Sequence, residues 1–156
     1  MPTLCKVLTN GIPEIVARWE KSVDRDPWSQ LSRTDRLDEL PEFLQHLFDA
    51  TVCSGPTLGD PQPMLDTAAR HGEQRRRVGL NYDHVMEESA VLRRAVWELA
   101  HSHRDEHHGM LRVDSALTVA LMASLRGYAK PEVEARGEWD STLARLVADW
   151  SLLLRN

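Results

Sequence analysis

Between Thr67 and Leu99 two helical patterns meet at a single break, Gly79-Leu80-Asn81. Beyond the break, Tyr82, Val85, Ser89, Leu92, Val96 and Leu99 recur in alternating steps of three and four, which turns one stripe toward a neighbouring helix. Asn81 is placed to cap that helix, because its side-chain carbonyl accepts from the free N–H groups of the first turn. Gly79 suits the end of the preceding helix, where a backbone with φ > 0 is often needed. No alternating, strand-like stretch longer than about four residues interrupts this period anywhere in the chain. The expectation is therefore an all-α single domain over residues 1–156, built as a bundle of five or six helices.

The rest of the chain supplies those helices in order. Leu4, Leu8, Ile12, Ile15, Trp19 and Val23 form a helical stripe, which Pro13 should break near Gly11-Ile12 and restart. Residues 24–31 are a linker, and Ser32 caps the next helix, whose buried face is Leu37, Leu40, Leu44, Leu47 and Phe48. Pro41 lies in the interior of that helix or marks a second start, and a kink is expected there. A helix stop by Ser54-Gly55-Pro56 opens the longest irregular connection, which runs to Pro63. Helices then follow over 64–78, 82–103 and 111–128, with a polar His-rich corner between the last two. The third of these is apolar on several faces from Ala116 to Leu125, as expected of a helix central to a core or buried in an oligomer interface. In the segment 131–156, Trp139, Leu143, Leu146, Trp150 and Leu153 make a coiled-coil-like seam and are the candidate homodimer contacts.

Charge and cysteine usage narrow the partners. A net charge of −5 disfavours nonspecific binding to nucleic acid or anionic lipid. The Arg70/Arg75–Arg77 cluster then reads as a solvated basic face. Cys5 and Cys53 form no CxxC pair, so the expectation is two reduced thiols in a cytoplasm. The N-terminus has no signal-peptide pattern, and the run 116–125 is about half a membrane span, so neither export nor membrane insertion is expected.

Catalytic motifs fail one at a time. The chain contains no GxSxG elbow, no phosphate-binding GxxxxGK[ST] loop, no GxGxxG and no HExxH, which points away from an enzyme. His101, His103, His107 and His108, with Asp105 and Glu106, offer imidazole and carboxylate groups, but an interhelix turn seldom fixes metal geometry and a solvated corner is expected. Only Glu98-Leu-Ala-His101 matches the Glu-x-x-His element of a ferritin-like di-iron centre. His71 and His84 flank the central break, and either is an alternative haem ligand in a helical pocket. Glu87 and Glu88 read as surface partners of His84, and Arg93 and Arg94 as solvated. No cofactor or metal is expected on the main reading. A haem- or metal-binding sensor using His71, His84 or the 101–108 cluster is the alternative.

At AARHGEQRRRVGLNYDHVMEESAVLRRAVWEL the chain resembles a family, the N-terminal helical domain of RsbR/RsbRD-type co-antagonist proteins, also found in front of some bacterial sensor histidine kinases. His71, Gly72, Arg75, Gly79, Leu80, Glu88, Leu92 and Arg93 occupy the places of the family pattern, over a resemblance spanning roughly residues 10–130. Ser89 stands where the family commonly has an aromatic. The resemblance implies a non-enzymatic input domain with a globin-like fold lacking haem. It would dimerise and pass a signal to a protein partner such as a kinase or a STAS-domain protein.

Overall fold

The computed structural model of the chain describes residues 3–130 and 144–150, with the side chains of Arg104 and Asp105 left aside. It is all-α, with no strand among the described residues. Seven α-helices follow in order: α1 Leu4–Asn10, α2 Ile12–Ser22, α3 Arg33–Leu37, α4 Leu40–Ala50, α5 Gln62–Arg77, α6 Tyr82–Ala100 and α7 His107–Tyr128. Residues 144–150 are helical as well. Among the described residues the count exceeds five or six through two splits, the expected break near Gly11 and another between α3 and α4. Gly11 separates α1 from α2, with Pro13 in the first turn of the restarted helix. Asp38 and Glu39 separate α3 from α4, and Pro41 sits in the first turn of α4, so it marks a second start and not a kink.

Local chemistry explains most helix ends. Ser32 caps α3 by accepting from the Asp35 amide, and Asn81 caps α6 through a reciprocal box with His84. Gly79 has φ +88°. A short 3-10 turn over His101–Glu106 carries the chain from α6 into α7, which starts within the polar corner, at His107.

The core forms around α7, which packs most closely on α5. Two glycines permit that approach. A Cβ on Gly72 would lie 1.8 Å from the Ser124 carbonyl oxygen, and one on Gly127 would lie 2.1 Å from the carbonyl oxygen of Ala69. Between them the Ser124 hydroxyl donates to the Ala68 carbonyl at 3.0 Å. Leu8, Ile15, Trp19, Leu44, Phe48, Val96, Val113 and Leu117 close the core on either side. Trp150 is buried on this core, and Leu146 and Val147 are packed against it. Of the expected dimer seam, Leu146 and Trp150 thus touch their own chain, while Trp139, Leu143 and Leu153 lie outside the described residues. No helix among the described residues is long and apolar enough to cross a membrane.

The cysteines require a correction. Cys5 on α1 and Cys53 after α4 form a disulfide across 48 positions and are not two reduced thiols. Packing brings the two Cα atoms to 5.0 Å, a proximity that the spacing of two isolated cysteines does not encode. The same turn is held from α7 by Arg112, whose guanidinium donates to the carbonyls of Gly55 at 2.8 Å and Pro56 at 2.5 Å.

Candidate functional site

The break between α5 and α6 folds two helices onto each other, and three charged side chains meet inside the turn. Glu88 occupies the inward position of α6 between Val85 and Leu92, and Arg75 that of α5 one turn after His71 and Gly72. Arg75 is fully buried and Glu88 nearly so. This overturns the reading of Arg75 as part of a solvated face and of Glu88 as a surface partner of His84; Arg76 and Arg77 do stay exposed. Both positions face inward on their helices, and burial of a charge there is tolerable only with full hydrogen bonding.

That bonding is complete. Glu88 Oε1 accepts from Arg75 Nε and from Trp28 Nε1, each at 2.7 Å, and Oε2 lies 2.7 Å from His71 Nε2. The other His71 nitrogen, Nδ1, lies 3.1 Å from Asp38 Oδ2. Arg75 spends its remaining donors on the Asp35 and Arg36 carbonyls, at 2.7 and 2.5 Å, and on Gln74 Oε1 at 2.8 Å. One carboxylate therefore ties together the 24–31 linker, α5 and α6, and Arg75 extends the tie to α3.

The charges support one another. Burial pushes the Glu88 carboxyl up, but the bond and charge of His71, the Arg75 guanidinium and the Trp28 N–H hold it below the usual carboxylate range. Asp38 follows the same balance, with burial outweighed by His71 and Arg75. For His71, burial lowers the imidazole and the two carboxylate bonds raise it, with a net rise above its ordinary value. Below that raised value His71 is an imidazolium, and each ring nitrogen then donates to the carboxylate beside it.

Asp38 holds this position at a backbone cost. Its φ of 48° and ψ of −126° are followed by −101° and 29° at Glu39, the outline of a type II′ turn that favours glycine at the first place. A non-glycine residue there costs about 1–3 kcal/mol, and what the side chain provides is the bond to His71.

Above the network lies a cavity of about 70 Å³, partly open to solvent. His71 and Glu88 form its polar wall, and Trp19, Phe43, Ala68, Leu92, Leu117 and Ala120 are among its apolar lining. With both nitrogens engaged, His71 has no lone pair to offer iron. His84 Nδ1 accepts from the Asn81 amide at 3.0 Å, and its ring meets the Trp28 ring edge-on. Among the described residues no cluster of three or more His, Cys, Asp or Glu side chains is arranged to hold a metal ion, and His101, His107 and His108 are exposed.

Of the residues singled out by pattern, His71, Arg75 and Glu88 converge, Leu92 lines the cavity, and Leu80 is buried beside them. Gly72 serves the α5–α7 approach and Gly79 the turn. Arg93 lies apart on the surface, bonded to Thr118 and paired with Asp114 on α7. Pattern reading missed Trp28 and Asp38, which reach the site from the linker and from the α3–α4 turn. It also missed a usable signal, a Glu on the inward stripe of α6 and an Arg on that of α5. No family model matches the chain, and no curated protein or solved structure is significantly similar to it.

Proposed function

We propose that this chain is a non-enzymatic input domain of bacterial signal transduction, one that changes how it engages a protein partner when its interior packing changes. The supporting observation is the Asp38–His71–Glu88–Arg75 network under an apolar cavity, buried at Glu88 and Arg75 and half-buried at Asp38 and His71, because it links α3, α5, α6 and the linker through a single set of charges. Removing or displacing one member leaves another buried charge uncompensated, so the network favours discrete arrangements over graded ones. A globin-like arrangement without haem belongs to the same proposal. So does a homodimer, with the exposed Tyr82, Met86 and Trp97 on α6 and Leu111 on α7 as its apolar contacts. The partner is proposed to be a kinase or a STAS-domain protein. In a cytoplasmic setting, reducing conditions would keep Cys5 and Cys53 as thiols, whereas the disulfide belongs to an oxidising one.

The test is capture from a native bacterial extract by the wild-type chain and by Glu88→Gln, with light scattering on both. Recovery of a kinase or STAS-domain protein by the wild type, reduced in the variant, is the expected result. A chain that stays monomeric at micromolar concentration removes the homodimer. Failure to retain any kinase or STAS-domain protein removes the signalling assignment.

A further inference from the structure

We infer that the cavity bounded by α2, α3, α4, α5, α6 and α7 is a binding site for a small uncharged, mainly hydrocarbon molecule of about five to eight non-hydrogen atoms. A single water needs about 10–15 Å³ of such space, so a cavity of about 70 Å³ has room for a small ring or short chain. Trp19, Phe43, Leu92 and Leu117 present hydrocarbon to it. Apolar walls facing a void forfeit the dispersion contacts that an occupant of matching character restores.

The polar wall decides the charge of the occupant. Glu88 accepts from Trp28, Arg75 and His71, and the second nitrogen of His71 is bonded to Asp38. Two carboxylates, one imidazolium and one guanidinium sum to zero, so the wall holds no surplus charge to pair with a ligand ion. An ionic ligand would have to be desolvated without a partner or break a completed bond. The Ser124 hydroxyl is committed to the Ala68 carbonyl. The Ser89 hydroxyl, half-buried on the lining, makes no hydrogen bond among the described residues and is left to meet one ligand hydroxyl. Because the cavity touches six helices, its occupancy bears on their packing. Only this role as the input rests on the proposed signalling function, and binding itself does not.

Cyclohexanol, cyclohexanecarboxylate and cyclohexylammonium would be titrated into the full-length chain while the methyl signals of Leu92, Leu117 and Ala120 are followed by NMR. Saturable shifts with cyclohexanol in the millimolar range, at least about tenfold weaker for both ions, are expected. Ala120→Leu fills the cavity and should abolish saturation. Ser89→Phe plugs it from a half-buried position and carries the test if the first variant does not fold. The inference is overturned by absence of saturation up to the solubility limit, by an ion binding as tightly as the alcohol, or by saturation that survives in a folded variant. No partner is needed for this readout, so a failed titration leaves partner capture standing, and a failed capture leaves the titration standing.

Discussion

His71 donates through Nε2 to Glu88 Oε2 at 2.7 Å, joining two helices across the break that separates them in sequence. The bond sits among three others, one to Asp38 on the imidazole side and those from Arg75 and Trp28 on the carboxylate side. Its consequences for stability are measurable without knowing any ligand.

Truncating one member of the pair exposes the cost of the other. Arg75→Ala leaves Glu88 buried beside an empty space, and unfolding stability should fall by about 3–5 kcal/mol in urea titrations. Combining it with Glu88→Gln should cost less than the sum of the two single changes, since the double variant buries no lone charge. Additive losses would show that the two side chains are energetically independent.

Stability should peak between the carboxylate and imidazole ranges. Folding raises the His71 value above its ordinary 6.5, so its contribution is complete below that pH and is lost as pH climbs through the raised value. Folding lowers Asp38 from 3.8 and Glu88 from 4.5, so theirs is complete above those values and is lost as pH falls through the lowered ones. Urea midpoints should therefore be higher near pH ~5.5 than near pH ~8.5, and His71→Gln should flatten that alkaline decline. An unchanged slope in the variant would assign the decline elsewhere.

The two glycines in this region should respond differently to alanine. At Gly72 the new methyl meets the Ser124 carbonyl oxygen at 1.8 Å, so α5 and α7 must separate, at a cost of at least about 2 kcal/mol. At Gly79 the methyl meets open space but inherits φ +88°, at a cost of about 1–2 kcal/mol. Thermal unfolding of both variants orders them, and a milder loss at Gly72 would contradict the close approach.

Reducing or removing the Cys5–Cys53 bond opens a link across 48 positions and should lower stability by about 2–4 kcal/mol. Melting with and without a thiol reductant, beside a Cys5→Ser/Cys53→Ser variant, measures it. Equal midpoints in all three would mean that Arg112 and the core hold the turn unaided.

Helix period, proline placement and caps are relations among residues within a turn or two of each other, and here they suffice for the all-α architecture, the restart at Pro13, the Ser32 and Asn81 caps and the Gly79 turn. They leave Glu88 and Arg75 read as surface groups, although both take inward positions on their helices. What they do not carry is which distant groups meet. Trp28 lies 60 positions from Glu88, Asp38 lies 33 from His71, and the cysteines are separated by 48. Whether a charge on an inward stripe is paired, whether a thiol finds another, and whether the helices leave a void between them depend on how several rigid pieces close on one another. That closure is a property of all the helices packed together, and no single stretch of chain records it.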